Sequence, residues 1–196
     1  LAAAKEGGAD WLVLCDTNGG TMPHEVAEIT ETVVKELGIP VGIHTHDDTG
    51  VAVANALASI LSGATQVQGT INGYGERVGN CNLTTVIPNL QLKMDRPLVK
   101  DIGQLTHLAH FVDDLANCAH NIRAPYVGAT AFAHKGGMHV NAVQKVAHSF
   151  EHVEPKTVGN RQRILVSELS GQSNVLMKAE ELGLPVEKGS PEALAI

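Results

Sequence analysis

Residues 41–73 read VGIHTHDDTGVAVANALASILSGATQVQGTING, and this stretch decides the fold class. Residues 41–46 have the pattern of a short strand, residues 49–61 are rich in Ala and Val as in a helix, and residues 66–71 predict a second strand. Strand, helix and strand at this spacing are typical of a βαβ crossover, which joins two parallel strands. The sequence therefore predicts a parallel α/β sheet with helices outside it.

The same pattern extends toward the N-terminus. Residues 11–15, WLVLC, form an unbroken apolar run of strand length. A helix is predicted to start at residues 21–23, where Pro23 suits the first turn, and to end at Gly38. Three strands joined in this way are expected to lie side by side, with their polar carboxyl ends along one edge of the sheet.

The composition changes near residues 95–100, and we place a domain boundary there. The first domain is predicted over residues 1–97 and the second, mainly helical, over residues 98–196. Further elements are predicted at residues 80–94 (a helix that starts or breaks near Pro88), 102–119 (an amphipathic helix), 139–146 (a short helix), 163–166 (a strand or extended segment) and 174–182 (a final helix).

Composition and charge exclude several classes of protein. Of the 196 residues, 43% are hydrophobic and 18% are charged, which indicates a folded globular chain. The formal net charge is −7 without a basic stripe, so a nucleic-acid partner is not expected. No apolar run reaches the roughly 18 residues of a membrane-spanning helix. Three widely spaced cysteines predict reduced thiols rather than a disulfide framework, and we expect a cytoplasmic protein without a membrane partner.

The pair His44 and His46 is the first candidate for chemistry. Residues two apart on a strand point to the same face, so both imidazoles are able to bind one metal ion. Two unrelated strand-end histidines are the alternative. Asp47 and Asp48 follow directly, and they are expected either to accept hydrogen bonds from the imidazoles or to cap the next helix.

The second candidate is the loop at residues 73–80, GYGERVGN. Its three glycines allow close approach of the backbone, and the amide oxygen of Asn80 is able to complete a set of nitrogen and oxygen ligands. Such a set suits Mn, Mg, Zn or Co without choosing among them. Taken alone, a glycine-rich loop is more often an ordinary turn.

Together these motifs resemble the DRE-TIM metallolyase family, and within it the acyl-CoA-dependent Claisen synthases grouped with 2-isopropylmalate and homocitrate synthases. The resemblance covers nearly the whole chain. It implies a partial (β/α)8 TIM barrel, of which this chain holds the last three strand–helix units, followed by a mainly helical linker and dimerisation subdomain. The resemblance is carried by the strand-end DT at residues 16–17 and by residues 43–55, 73–80, 131–143 and 158–174.

The resemblance also implies roles for individual residues. His44, His46 and Asn80 are the expected ligands of a divalent metal ion (Mn, Mg, Zn or Co), and Thr17 is expected to bind the carboxylate of a 2-oxoacid. His139 is expected to take part in proton transfer at the active site of a partner subunit, which implies a homodimer. From composition alone, His139 beside its glycine turn reads as a solvent-facing histidine.

The implied reaction is a metal-dependent condensation of acetyl-CoA with a 2-oxoacid. The 2-oxoacid is expected to be pyruvate, which gives (R)-citramalate in isoleucine and branched-chain amino-acid biosynthesis. The alternatives are synthesis of 2-isopropylmalate or homocitrate and, more distantly, a non-catalytic assembly module. A lyase is less expected because the family lyases carry a cysteine in the glycine loop, whereas Cys81 here follows Asn80 and is expected to be a small buried residue.

The family's first barrel strand, which supplies a metal-binding aspartate and an adjacent arginine, is not recognisable in these 196 residues. The family also has an acidic residue on a middle strand of the barrel, and that strand is not recognisable here either. We therefore expect the chain to be part of a longer synthase and to be inactive alone.

Overall fold

The computed structural model describes residues 1–134, 146, 150–165 and 172–186. The chain divides into two compact units, Leu1–Lys100 and Asp101–Ile196, which we call the first and the second unit.

The first unit consists of strands that alternate with helices. Its three described strands pair in parallel in the order β1–β2–β3, and α2 and α3 are the crossovers between them. The parallel α/β prediction is confirmed for this part of the chain. In chain order the elements are α1 (Ala2–Glu6), β1 (Leu12–Asp16), α2 (Pro23–Leu37), β2 (Val41–Thr45), α3 (Ala52–Leu61), β3 (Gln66–Gln68), a 3-10 turn (Ile71–Gly73) and α4 (Leu83–Lys93).

Local sequence signals set both ends of α2. Pro23 occupies the first turn, and the carboxylate of Glu25 accepts a hydrogen bond of 2.9 Å from the backbone N–H of Met22. Gly38 ends the helix with φ of 59°, a left-handed conformation that glycine adopts at low cost. The predicted start and end of this helix are confirmed.

Helix α4 runs through Pro88 without a break, so the prediction of a start or a break there is wrong. The helix begins instead after Asn82, whose side-chain oxygen accepts a hydrogen bond of 2.9 Å from the N–H of Thr84. Proline removes one backbone hydrogen bond from a helix interior. Pro88 is among the fully buried side chains, so packing in the core offsets that loss.

One face of the sheet forms the hydrophobic core of the first unit. Leu14, Ile43 and Val67 lie in register across the three strands and pack against the helices. Burying an aliphatic side chain of this size stabilises the fold by about 1.5–3 kcal/mol. The buried residues of this core are Val26, Ile43, Ala52, Ala56, Cys81, Val86 and Leu90.

In the described residues of the second unit, the regular structure consists of helices, 3-10 turns and a pair of short parallel strands. Its elements are a 3-10 turn (Ile102–Gln104), α5 (Leu105–Leu115), β4 (Ala133–His134), a second 3-10 turn (Pro155–Val158), β5 (Arg163–Ile164) and α6 (Gln172–Glu181). The helix predicted over residues 102–119 ends earlier than expected, at Leu115, because Asn117 adopts a left-handed φ of 53°. The helix predicted at residues 139–146 lies outside the described residues.

Buried polar side chains of the second unit are hydrogen-bonded to one another or to the backbone. The amide nitrogen of Asn160 donates to the carbonyl oxygens of Tyr126 and Gly128, at 2.8 and 3.0 Å. Its amide oxygen accepts from the N–H of Arg161 and from the guanidinium of Arg163, at 2.8 and 3.0 Å. Asn160 thereby ties two loops together with both ends of its side chain.

A second network of this kind surrounds Glu151. One of its carboxylate oxygens lies 3.0 Å from Nε2 of His134 and accepts a hydrogen bond of 2.7 Å from the side chain of Gln162. Both His134 and Glu151 are buried.

Within the part of the chain that the structure describes, no helix combines the length and the apolar composition needed to cross a lipid bilayer.

Candidate active site

The face of the sheet opposite the core carries polar side chains. Cys15, His44 and Gln68 lie in register across β1, β2 and β3, and alternation along the strands turns them away from Ile43 and its neighbours. Cys15 and Gln68 are exposed to solvent and His44 is partly buried. This open face, together with the loops at the carboxyl ends of the strands, is the candidate active site.

His44 and His46 lie on this face, as predicted from their spacing. Their ring centroids are 5.2 Å apart and the ring planes meet at 69°. Nδ1 of His46 lies 3.1 Å from the backbone carbonyl oxygen of Asp16. Because a carbonyl oxygen only accepts hydrogen bonds, Nδ1 carries the proton and Nε2 of the neutral ring keeps its lone pair. The ring of His46 is therefore fixed in the tautomer that a metal ion requires.

The glycine-rich loop brings Asn80 next to His46. These two residues form an isolated antiparallel bridge, flanked by backbone hydrogen bonds from Asp47 to Gly79 (3.0 Å) and from Cys81 to Thr45 (2.9 Å). The loop is thus bonded to the end of β2 rather than free in solvent.

The side chain of Asn80 is held at only one end. Its amide nitrogen donates a hydrogen bond of 2.9 Å to the carbonyl oxygen of Tyr74. Its amide oxygen is buried and accepts no hydrogen bond from any of the described residues. An unpaired buried acceptor costs stability, so this atom is suited to a cation or another donor that the chain itself does not supply.

Two glycines of the loop make room for this arrangement. A side chain at Gly75 would place its Cβ 2.1 Å from the amide nitrogen of Asn80. Gly79 has φ of 107°, and a Cβ there would lie 2.0 Å from the carbonyl oxygen of Gly73. The loop therefore needs glycine where its two arms approach each other.

The side chains of His44, His46 and Asn80 fit a divalent metal ion in the kind of donor atoms that they carry. Two imidazole nitrogens and one amide oxygen suit Mn, Mg, Zn or Co. The described residues contain no group of three or more His, Cys, Asp or Glu side chains that could hold a metal ion. The assignment of His44, His46 and Asn80 as ligands stays a prediction.

Thr17 lies just beyond β1, exposed, at an open cleft of about 670 Å³. Within the described residues its hydroxyl makes no hydrogen bond, whereas its carbonyl oxygen accepts one of 2.9 Å from the guanidinium of Arg77. The hydroxyl is therefore available to a ligand. The cleft is lined by Cys15, Asp16, Thr17, Asn18, Thr21, Asp48 and Arg77.

The two aspartates that follow the histidines have other partners than the imidazoles. Asp47 accepts a hydrogen bond of 2.9 Å from the N–H of Ala52, the first residue of α3, although the N-cap residue of that helix is Val51. Asp48 binds Arg77 through both carboxylate oxygens, at 2.7 and 2.8 Å. This ion pair lowers the pKa of Asp48 and raises that of Arg77.

Two further predictions concern Cys81 and His139. Cys81 is fully buried, as expected, and burial raises the pKa of its thiol to about 11. His139 lies outside the described residues. Sequence reasoning missed Asp16, whose carbonyl orients His46, and Arg77, which joins two strand-end loops. Only the position of Asp16 at a strand end and the place of Arg77 in the glycine-rich loop pointed to them.

Comparison with known proteins identifies relatives of the whole chain. The HMGL-like family model matches residues 1–112, and the model described as homocitrate synthase post-HMGL domain-like matches residues 126–194. An (R)-citramalate synthase of Synechocystis sp. is 50% identical over 206 residues, which cover 100% of this chain and 38% of that protein. An (R)-citramalate synthase of Aquifex aeolicus is 52% identical over 98% of this chain and 37% of that protein. The chain thus spans somewhat more than a third of the length of these relatives.

The fold also resembles solved structures. Bacillus subtilis HMG-CoA lyase superimposes with a TM-score of 0.56 and 23% identity, over 64% of this chain and 43% of that one. This likeness confirms the partial (β/α)8 assignment: the described sheet is an open, three-stranded part of such a barrel and not a closed one.

Proposed function

The chain belongs to the HMGL-like family, and from this premise we propose that it forms part of a metal-dependent synthase that condenses acetyl-CoA with pyruvate to give (R)-citramalate. Membership confirms the family resemblance read from the strand-end motifs. The activity belongs to proteins of which the chain spans 38% and 37%, so the activity of the chain itself is a proposal.

One observation carries the proposal. The buried amide oxygen of Asn80 lacks a partner in the described residues, and it lies on the residue that bridges to His46. The same histidine keeps Nε2 free because Asp16 holds Nδ1. An unpaired oxygen beside an oriented imidazole is the arrangement expected of metal ligands.

We assign the residues of the chain the following roles. His44, His46 and Asn80 hold the divalent ion, for which Mn, Mg, Zn and Co all suit the donors. When bound, such an ion acts as a Lewis acid that polarises a carbonyl group. The exposed hydroxyl of Thr17 donates a hydrogen bond to the carboxylate of the 2-oxoacid and orients it in the cleft.

The overall chemistry balances without an oxidant or a reductant. A proton leaves the methyl group of acetyl-CoA, that carbon forms a bond with the keto carbon of pyruvate, and the keto oxygen takes up a proton. Water then cleaves the thioester and releases CoA. His139 is the residue of this chain proposed to move a proton in these steps, and it does so in the active site of a partner subunit within a homodimer.

Other parts of the proposal rest on the family. They are the use of acetyl-CoA as a substrate, the place of the reaction in isoleucine and branched-chain amino-acid biosynthesis, and a cytoplasmic location. The division into a barrel part at residues 1–97 and a linker and dimerisation subdomain at residues 98–196 belongs here too. The family's metal-binding aspartate and adjacent arginine are not recognisable in these 196 residues, so we expect the chain alone to form no citramalate.

Homocitrate synthesis is the second candidate, because the family model matching residues 126–194 is described by that activity. Homocitrate synthesis and 2-isopropylmalate synthesis would use the same metal ligands as citramalate synthesis and differ from it in the 2-oxoacid. A non-catalytic assembly module would need none of these ligands.

Metal binding separates the enzyme from the assembly module. Co²⁺ is titrated into the chain and followed by its visible absorption, first with the wild type and then with His44→Ala. We expect one Co²⁺ per wild-type chain, and an affinity lower by about 100-fold in the variant, since even the loss of an outer contact costs about 10–100-fold. His24→Ala is the matched control, because His24 is an exposed histidine of the same unit.

Equal Co²⁺ affinity in the wild type and in His44→Ala would rule out the assigned centre. Citramalate formed from acetyl-CoA and pyruvate by the 196-residue chain would refute the expectation that the chain is inactive alone. A titration with 2-oxoacids of different size against the Co²⁺-loaded chain then compares pyruvate with the substrates of the alternatives.

A further inference from the structure

Arg77 joins loops that follow all three strands of the first unit. Its Nε and Nη2 atoms donate to the two carboxylate oxygens of Asp48, at 2.7 and 2.8 Å, and Nη2 also donates to the carbonyl oxygen of Thr17, at 2.9 Å. Thr17 follows β1, Asp48 follows β2 and Arg77 follows β3. One guanidinium therefore fixes the relative positions of three loops.

The same three loops carry the candidate ligands. Asp48 comes two residues after His46, and Arg77 comes three residues before Asn80. The third bond of the guanidinium goes directly to Thr17, the residue assigned to the carboxylate of the 2-oxoacid. Any movement of Arg77 would change the position of Thr17 relative to His46 and Asn80.

The backbone of Arg77 indicates that this contact is specific. Its φ is 58°, in the left-handed region where residues other than glycine and asparagine are strained. Glycine, present at three other positions of the loop, would occupy this position at lower cost. The bidentate ion pair supplies a reason for an arginine there, because the planar guanidinium matches both carboxylate oxygens at once.

The neighbourhood of Asp48 is shaped for the same contact. Gly19 has φ of 68°, and a Cβ on it would lie 2.3 Å from a carboxylate oxygen of Asp48. The hydroxyl of Thr49 donates a hydrogen bond of 2.9 Å to the carbonyl oxygen of Gly19. The loop after β1 is thus held by two hydrogen bonds, one from Arg77 to Thr17 and one from Thr49 to Gly19.

The ion pair is partly exposed to solvent and bidentate, and its geometry favours a role in positioning. The side chains of Arg77 and Asp48 keep 43% and 25% of their surface exposed, and ion pairs in such surroundings are weak because solvent screens them. A bidentate pair adds geometric specificity as well as energy.

We propose that Arg77 is a positioning residue: Asp48 holds its guanidinium in place, and its direct hydrogen bond to the carbonyl oxygen of Thr17 keeps Thr17 where 2-oxoacid binding requires it, relative to His46 and Asn80. This inference rests on the proposed function for its ligand. The loop connection itself does not depend on that function, so the two are tested separately.

The first measurement needs no ligand. Amide hydrogen exchange is compared between the wild-type chain and Arg77→Met, with Lys35→Met as the matched control. Lys35 forms another exposed ion pair of the first unit, with Glu31 on α2. In Arg77→Met we expect the exchange rates of residues 17–20 and 48–50 to rise by about tenfold, while the exchange rates in β2 do not change. In Lys35→Met we expect the exchange rates of all these residues to equal those of the wild type. Unchanged exchange at residues 17–20 would overturn the proposal.

The second measurement uses Co²⁺ and pyruvate as probes. In Arg77→Met we expect Co²⁺ affinity to stay within about twofold of the wild type, and pyruvate affinity for the Co²⁺-loaded chain to fall by about tenfold, since misplacement of an orienting group is costly. Asp48→Ala is expected to lower pyruvate affinity in the same way, and Arg77→Lys, which keeps the charge, to restore part of it.

The outcomes are distinct. Higher pyruvate affinity in Asp48→Ala would mean that Arg77 binds the substrate itself, which overturns a positioning role. Parallel losses of Co²⁺ and pyruvate would reveal a merely structural role and overturn it as well. If exchange rises as expected while the wild-type chain binds neither probe, the proposed function fails and the loop connection stands.

Discussion

The two units treat the side-chain amide of an asparagine in opposite ways. Asn160 in the second unit uses both its amide nitrogen and its amide oxygen in hydrogen bonds within the chain. Asn80 in the first unit uses its amide nitrogen only, and its buried oxygen lacks a partner among the described residues. A satisfied side chain serves the fold, whereas an unsatisfied one is available to a ligand.

The contrast extends beyond this pair. All the buried side-chain atoms without a hydrogen-bond partner in the described residues belong to the first unit. Two of them lie on Asp16 and Asn80, where the strands end, whereas Glu151 in the second unit has two partners. The full set is Asp16 Oδ2, Asn55 Oδ1, Gln66 Oε1 and Asn80 Oδ1. Asp16 Oδ2 and Asn80 Oδ1 thus lie near the residues to which we assign chemistry, whereas Asn55 Oδ1 lies on α3 and Gln66 Oε1 at the start of β3.

The largest expected effect is on the stability of the second unit. Asn160→Ala leaves the buried carbonyl oxygens of Tyr126 and Gly128 without their donor, and we expect the free energy of unfolding to fall by about 2–4 kcal/mol. Urea denaturation, monitored by amide hydrogen exchange, measures the free energy of unfolding of the second unit separately from that of the first. Co²⁺ affinity should not change. A loss below about 0.5 kcal/mol would break the contrast, since the networked asparagine would then be dispensable.

The next effect concerns Asn80 and is expected in binding rather than in folding. Asn80→Ala removes one hydrogen bond, so unfolding should become easier by only about 1 kcal/mol. Co²⁺ affinity should fall by about tenfold, because the unpaired oxygen is lost. Isothermal titration measures the affinity, and Asn160→Ala, at a temperature where it is folded, serves as the control.

Gly75→Ala sharpens the same test without touching a ligand. Its Cβ would meet the amide nitrogen of Asn80, so the side chain has to move. We expect the Co²⁺ affinity of Gly75→Ala to fall toward that of Asn80→Ala. An unchanged affinity in both variants would show that the buried oxygen binds no metal.

The smallest effect appears at alkaline pH in the second unit. Burial raises the pKa of Tyr126, which favours its neutral form in the folded state. The contribution to stability is fully present below the unfolded pKa of about 10 and is lost as the pH rises through the higher folded pKa. Stability measured by urea denaturation from pH 8 to 11 should therefore decline less steeply in Tyr126→Phe than in the wild type. Identical slopes would contradict this assignment.

Much of the fold was predictable because its signals are local. Apolar runs, the proline and glycine at the ends of α2, and the βαβ spacing all act within a few residues of one another. The errors at Pro88 and at the end of α5 have another origin. Burial in the core holds Pro88 inside α4, and the left-handed turn at Asn117 has no strong signature in sequence.

The site was predictable only where its chemistry follows from spacing. His44 and His46 share a face because strands alternate, whichever loop follows them. The partner of Nδ1 on His46 is a backbone carbonyl, which every residue possesses, so nothing in the sequence singles out Asp16. The pairing of Arg77 with Asp48 joins residues 29 apart and depends on the path of the glycine-rich loop.

The hydrogen bond from Arg77 to Thr17 spans 60 residues, whereas each strand pairs with the next along the chain. Contacts between distant residues are slower to form because a longer loop has to close first. The sheet is therefore expected to form before the three loops are joined, and the chain to pass through a state in which β1, β2 and β3 are already paired but Thr17 has not yet reached its position. Maturation of the binding site would then be a late kinetic phase, separable from the appearance of secondary structure.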